Sequence, residues 1–427
     1  MANVVVVGGG WSGCAAAIAA KKAGMDQVIL LERTDMLLGT GLVGGIMRNN
    51  GRFTAAEEAI AMGGGDLFLA TDQCSRHQNI EFPGHKHASL YDVAKIEPIV
   101  RQLLEDYNIE YRTLARVRDI SMKGTRIISV ITDADDEVYG DVFVEATGTA
   151  GPQGNCSKHG NGCAMCIIRC PAFGPRISIA GRAGIQEKHG KKADGSAGAM
   201  SGSCKLLKES LDANIVRQLN EYGLAIIPIP VQLRKADALG IKACQQYALQ
   251  EFAENIILLD TGHAKLMSPF YPIEKLRSIP GFENARFEDP YAGGVGNSMR
   301  YFDLSPHDNS LKVTGVDNLF CCGEKAGLLV GHTEAIVTGT LAGHNAARSQ
   351  AKMDLLVLPE TIAIGDAIAH VNAQMQTDAG MSLKYTFSGA QYFQRMQEKG
   401  LYTTDVAAIQ ERVRLAGLSH VFSEMIQ

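Results

Sequence analysis

The run Gly8-Gly9-Gly10-Trp11-Ser12-Gly13 restricts what this chain can fold into more than any other feature. It fits G-x-G-x-x-G, and its surroundings fit as well. Residues 2–7 before it are short and almost wholly apolar, the pattern of a parallel strand buried on both faces. Residues 13–23 after it are rich in alanine and read as a helix, and residues 27–31 read as a second strand that runs into Glu32. Strand, glycine turn, helix, strand and acid in that order make a βαβ unit that binds a dinucleotide. Gly8 permits the tight turn, Gly10 lets the backbone approach a pyrophosphate, and Gly13 allows close helix–strand packing. The helix start offers its unpaired N–H groups to the phosphates. Glu32 is placed to accept hydrogen bonds from the adenosine ribose. The bland alternative is a glycine-rich turn with no ligand.

At 427 residues the chain has room for two or three domains. Helices are expected near residues 55–62, 93–107, 205–222, 242–252 and 332–348, and strands at 110–114, 118–123, 126–132, 138–145, 225–229 and 256–259. The expected fold class is α/β: a Rossmann-like domain from residues 1–150 plus 315–350, an inserted substrate-side domain over 176–314, and a helical C-terminal extension over 351–427. Apolar runs fall short of the ~18 residues a membrane span needs, so no membrane partner is expected. The chain opens directly into a strand with no charged leader, which reads as a cytoplasmic protein. The net charge of −5, with no dense basic run, argues against a surface that tracks a nucleic-acid backbone. A homodimer is compatible with this reading.

The second constraining feature is a loop over 151–175 that holds Cys156, Cys163, Cys166 and Cys170, the last followed by Pro171. The last three are spaced C-x2-C-x3-C-P, like the end of a ferredoxin cluster run. Thiolates select iron–sulfur clusters or zinc. A [4Fe–4S] cluster on these four ligands is the favoured reading, with structural zinc or an unliganded thiol set as the alternatives. Zinc is handicapped because its sites usually pair two C-x2-C knuckles. Cys14, Cys321 and Cys322 read as small core residues.

Four segments resemble a known family. Residues 4–32, the glycine-dense stretch Gly39-Thr40-Gly41-Leu42-Val43-Gly44-Gly45, the turn Ala146-Thr147-Gly148, and residues 318–348 are similar to the glutathione-reductase-type FAD proteins. The last of these most resembles the glucose-inhibited-division-protein-A type tRNA-modifying flavoproteins. The resemblance implies FAD held by Gly8, Gly10, Trp11, Ser12, Gly13, Glu32, Arg33, Gly39, Thr40, Gly44, Gly45, Val117, Ala146, Thr147, Gly148, Gly323, Glu324, Thr333 and Glu334. Glu324 would hold the ribityl chain. The helix beginning near Thr333 would aim its N-terminus at the flavin, favouring the charge of the reduced ring. The middle of the chain and the cysteine loop depart from that family's pattern.

Two residues are candidates for the chemistry. His332, just before that helix, is placed to donate a proton. Arg48, with Asn49, is placed to hold a substrate carboxylate or phosphate. His85 and His87 read as a solvated loop. The resulting expectation is an FAD- and [4Fe–4S]-dependent oxidoreductase. It would pass electrons between a one-electron carrier such as ferredoxin and a small organic substrate. The alternatives are an RNA-modifying flavoenzyme fed by folate or NADH, and a non-catalytic electron-transfer or redox-sensor subunit.

Overall fold

A computed structural model describes residues 2–148, 174, 176–191, 195, 199–200, 204–234, 247–267, 272–288, 299–300 and 302–426. Its centre is a five-stranded parallel sheet. Side by side lie Leu319–Cys321, Val142–Glu145, Asn3–Val7, Gln27–Leu31 and Glu110–Arg112. Val4, Val5, Val6, Leu30, Phe143, Val144 and Leu319 are fully buried or within 1% of it, which is why these strands read as unbroken apolar runs. The chain leaves Asn3–Val7 toward one side of the sheet and returns later on the other. The switch point where α/β sheets bind ligands therefore lies between Val7 and Glu145.

Two helices pack face to face over this sheet, Trp11–Lys22 and His332–Gln350. They approach backbone to backbone. A Cβ at Gly339 would stand 2.2 Å from the Ser12 carbonyl oxygen, and one at Gly343 would stand 2.0 Å from that of Ala16. The small residues of residues 332–348 are thus the means by which two distant parts of the chain meet.

Outside this layer, Cys204–Leu206, Leu224–Pro228, Asn255–Asp260 and Ala264–Leu266 form a four-stranded antiparallel sheet. It has its own core around Leu206, Leu219, Leu258, Leu266 and Phe282. This sheet falls within the stretch expected to form the inserted domain. The helix expected over 205–222 begins only at Ala213, because Asp212 caps it by accepting from the Asn214 N–H at 2.8 Å. Residues 204–206 pair instead as a strand. The strand expected over 138–145 is two, Glu137–Tyr139 and Val142–Glu145, in different sheets. A hairpin the sequence pattern did not show, Ser75–Phe82 with His85–Tyr91, packs beside Ile46–Met47. It draws His85 into the interior, stacked on Phe82 at 4.7 Å and 2.9 Å from Asn49 Nδ2, rather than leaving it in a solvated loop.

The C-terminal region is largely helical, with Ala363–Gln374, Ala390–Glu398 and Val406–Leu415 as its main helices and a short strand at Tyr385–Thr386. Its buried residues, among them Ile364, Ala367, Tyr392 and Val413, belong to the same apolar core as the parallel sheet. No helix among the described residues is long and apolar enough to cross a membrane.

Candidate functional site

The glycine turn sits at the switch point of the sheet. Gly8 has φ of +106°, which a side chain would strain, and a Cβ there would lie 2.4 Å from the Ala146 carbonyl oxygen. The first glycine turn and Ala146-Thr147-Gly148 are therefore in direct contact. At Gly13 a Cβ would lie 1.8 Å from the Gly8 carbonyl oxygen, so the helix can sit on the turn only without one. Gly10 is the opposite case: a Cβ there meets nothing within 4 Å. It faces open space at the start of the Trp11–Lys22 helix. That helix has no side-chain cap at Gly10 and no acid in its first turn. Its first N–H groups and their partial positive charge are available to an anion.

Glu32 is buried beside this opening. One carboxylate oxygen accepts from the Gly9 N–H at 2.8 Å and the other from the Thr34 N–H at 2.9 Å. Ala115 N–H donates to the Glu32 carbonyl, which brings the buried Val117 strand alongside. Arg33 donates to the Gly174 carbonyl at 2.5 Å. Half-buried Glu324 lies in the turn Gly323–Lys325. A Cβ at Gly323 would come 2.6 Å from Ser12 Oγ, so Ser12 and Gly323 are neighbours across the two halves of the sheet. These residues form a cradle of open space, bare helix N–H groups and an acid. They fit a dinucleotide.

The second part of the site lies where residues 39–45 meet the start of the His332–Gln350 helix. A Cβ at Gly44 would fall 1.6 Å from His332 Cε1, so the imidazole lies directly on Gly44. Tyr91, fully buried, donates to the Gly41 carbonyl at 2.6 Å and lies 3.3 Å from His332 Nδ1. Trp11 packs edge-on against Tyr91, ring centroids 5.9 Å apart, and 6.2 Å from His332. Its indole N–H is buried with no hydrogen-bond partner among the described residues. Thr333 is buried with its hydroxyl 3.8 Å from Met47 sulfur. Gly39 and Thr40 open this loop, and Gly45 packs on Thr261, where a Cβ would lie 2.3 Å from Cγ2.

Two expected site residues are placed elsewhere. Arg48 pairs with Asp72 at 2.7 Å and with Glu57 at 2.5 Å, so its charge is balanced within the protein. Glu334 is fully buried and accepts from Arg52 at 3.1 Å, the Thr386 hydroxyl at 2.7 Å and the Phe387 N–H at 2.9 Å. It fastens the C-terminal region to the helix start. The sequence reading missed Tyr91, whose place depends on the unforeseen hairpin. It also missed a buried charge cluster behind the cradle. Lys325, with no exposure, pairs with Glu187 and lies 3.8 Å from Glu145. Burial works against the Lys325 charge, but Glu145 and Glu187 outweigh it and hold the ammonium above its usual range. An acid ending an otherwise apolar strand, as Glu145 does, was the available signal. Burial also pushes the Cys322 thiol up to about 12 and that of Cys321 well above its ordinary value, so neither is poised as a nucleophile.

Cys156, Cys163, Cys166 and Cys170 lie outside the described residues, and no group of His, Cys, Asp and Glu that could hold a metal occurs among those described.

A parallel sheet with a glycine turn at its switch point, a neighbouring strand's turn touching it, and a distant helix entering beside both define an FAD-dependent-oxidoreductase type of fold. The chain belongs to the glucose inhibited division protein A family, whose profile matches residues 3–238 and 260–354. Aquifex aeolicus GidA in two crystal forms is similar in structure. The form II crystal matches with a TM-score of 0.67 at 18% identity over 99% of this chain and 73% of that one, and form I with 0.62 at 16% over 97% and 78%. At this identity the likeness shows the fold. The methylenetetrahydrofolate–tRNA-(uracil-5-)-methyltransferase TrmFO of Streptococcus sanguinis is 39% identical over 89 residues, which is 20% of this chain and 19% of that protein. Streptococcus uberis TrmFO is 41% identical over 91 residues, with the same shares of 20% and 19%. The chain thus spans about a fifth of the curated relatives it matches. These names overturn the expectation that nucleic acid is not a partner. A net charge of −5 reports the whole surface and does not exclude a local cationic face.

Proposed function

We propose that the chain is an FAD-dependent enzyme that modifies an RNA base, with a folate or NADH as the class of reductant and the cytoplasm as its setting. The observation that carries the flavin is the open start of the Trp11–Lys22 helix at the switch point of the sheet. The names of the curated relatives support the RNA substrate. Gly8, Gly10, Ser12, Gly13 and Glu32 would hold the adenosine diphosphate half, and Glu324, Gly44, Gly45 and Thr333 the ribityl–flavin half. Bound flavin supplies hydride or single-electron transfer. The protein's own groups then do the rest. Helix N–H groups neutralise the phosphates, Trp11 and Tyr91 wall the pocket against water, and His332 handles a proton beside the reacting face. The test is incubation of the yellow holoenzyme with unmodified tRNA transcripts and each reductant, followed by mass analysis of the nucleosides. A reductant-dependent mass change on one nucleoside supports the reading. No change, together with no salt-dependent tRNA binding, contradicts it.

A second reading is favoured by one feature, the C-x2-C-x3-C-P spacing. It is a [4Fe–4S] cluster on Cys156, Cys163, Cys166 and Cys170 that links a one-electron carrier such as ferredoxin to a small organic substrate. The flanks of that segment support it. The Glu145 carboxylate accepts from the Ile179 N–H at 2.7 Å and the Ala180 N–H at 2.9 Å, so the chain returns beside the Ala146-Thr147-Gly148 turn. Iron and inorganic sulfide at four each per chain in anaerobically prepared protein would support it. Zinc without sulfide, or no metal, would remove it.

A further inference from the structure

We propose that His344, buried beneath Phe422, is an acid-released latch for the segment 418–426, which stays docked while the imidazole is neutral and lets go when the ring takes up a proton. The inference goes beyond the flavin reading and does not depend on it.

The segment crosses the C-terminal ends of the helices Trp11–Lys22 and Gly51–Ala61. It is tied to them by the His420 N–H to the Ala61 carbonyl at 3.1 Å, the Phe422 N–H to that of Met62 at 2.8 Å and the Ile426 N–H to that of Ala23 at 3.0 Å. Phe422 is the buried anchor between these bonds. A Cβ at Gly64 would stand 3.1 Å from its ring and 2.7 Å from Thr340 Cγ2, so the ring lies against the helix His332–Gln350 one turn before His344. The Phe422 and His344 rings meet edge to face, with centroids 5.3 Å apart.

His344 is 1% exposed, and neither of its nitrogens has a hydrogen-bond partner among the described residues. An imidazolium there would bring a second N–H donor and a full charge with nothing to receive either. The charged groups on the elements packed around it give no relief. Lys22 and Asp66 pair with each other at 2.8 Å, and Glu58 is engaged by Arg412 and two backbone N–H groups. His420 and Glu424, on the segment itself, are exposed. Arg348, one turn further along the helix, does bear on the ring, and its charge has the same sign. Burial, helped by Arg348, therefore holds the ring down at about 4, against an ordinary 6.5. A proton can be accommodated once water reaches the ring. The adjoining Gly343 is sealed against the Ala16 backbone, where a Cβ would stand 2.0 Å from the carbonyl oxygen, so the side that can open is the one Phe422 covers. A group held below its ordinary value stabilises the docked state fully above 6.5 and loses that contribution as pH falls through about 4.

The test is hydrogen–deuterium exchange of the purified full chain, read by mass spectrometry on peptides covering 418–426 and corrected for intrinsic exchange. Protection of the segment should fall about 10-fold between pH 7.5 and 5.5, the ratio set by a ring that titrates near 6.5 when open and near 4 when docked. The strand Asn3–Val7 should stay protected over the same range. His344→Leu should hold its protection level throughout, since leucine has nothing to titrate. Unchanged protection in the unsubstituted protein overturns the proposal. So does an equal loss in the strand Asn3–Val7, which would be global unfolding, and so does the same loss in His344→Leu. Should His344→Leu fail to fold, Phe422→Ala decides: with the cover gone the pH dependence of the segment should vanish, and a retained 10-fold loss overturns the latch.

Discussion

Two helix starts in this molecule show opposite treatments of the same electrostatic problem. The start at Ala363 is filled by the protein itself. Buried Glu58 accepts from the Ala363 N–H at 2.9 Å and the Ile364 N–H at 3.0 Å, with Arg412 at 3.3 Å beyond. The start at Trp11 carries no such carboxylate, and Gly10 there opens on empty space. Both ends expose N–H groups and partial positive charge. Where the fold needs a closed end, a glutamate from another element closes it. Where it needs to bind, the charge is left for a ligand. The His332 start lies between these extremes, crowded by His332, Thr333 and the Glu334–Arg52 pair.

The sharpest way to break this comparison is to place side chains on the two glycines of the open turn. Gly13→Val drives a Cβ to 1.8 Å from the Gly8 backbone oxygen, and the expected outcome is loss of folded protein. At Gly10 an added Cβ meets nothing within 4 Å, so Gly10→Val extends into open space. It should fold with an unchanged circular dichroism spectrum and retain at least ~10-fold less FAD, because the side chain fills the pyrophosphate's space. Equal damage from both would refute the distinction between packing and binding glycines.

The next effect is in the crowded helix start. Glu334→Ala leaves the Arg52 guanidinium buried without its carboxylate and should cost about 3–5 kcal/mol in urea unfolding. A loss below ~1 kcal/mol would show that this pair does not anchor the C-terminal region. Arg48→Ala removes the pairs with Asp72 and Glu57 and should cost about 1–3 kcal/mol. If Arg48 instead held a substrate anion, KM would rise with stability untouched.

The smallest effect is a pH dependence at the filled start. Burial pushes the Glu58 carboxyl up to about 7, against the pull of the Ala363 and Ile364 N–H groups and Arg412. A carboxyl held above its ordinary value in the folded state contributes fully below that value, about 4.5, and loses the contribution as pH rises through about 7. The unsubstituted protein should therefore lose a component of Tm between those limits, and Glu58→Gln should flatten it. Parallel curves for the two proteins would contradict the assignment.

The open start was legible in the sequence and the filled ones were not, for a physical reason. A backbone-built cradle needs glycine at fixed spacing between a strand and a helix, and Gly8, Gly10 and Gly13 write that requirement into consecutive residues. The close approach of Gly339 to Ser12 leaves a weaker trace, as small residues in residues 332–348. Glu58 meets Ala363, and Glu334 meets Arg52, across hundreds of residues, so no local pattern announces either pair. Tyr91 was missed for the same reason. It reaches His332 only because Ser75–Phe82 and His85–Tyr91 form a hairpin whose register shifts break the alternation by which strands are read. Arg48 is the converse case. A cation beside a glycine loop suggested a ligand, and the structure pairs that cation with Asp72 and Glu57.

The central claim is that the open start at Trp11 holds FAD. Its most direct measurement is the flavin content of purified protein, by absorption spectrum and by chromatography of the nucleotide released on denaturation, for the unsubstituted chain and Gly10→Val side by side. The account predicts a yellow protein releasing one FAD per chain, and a folded, colourless Gly10→Val. An unsubstituted protein that is folded yet colourless, and that takes up no FAD when supplied with it, would contradict the account.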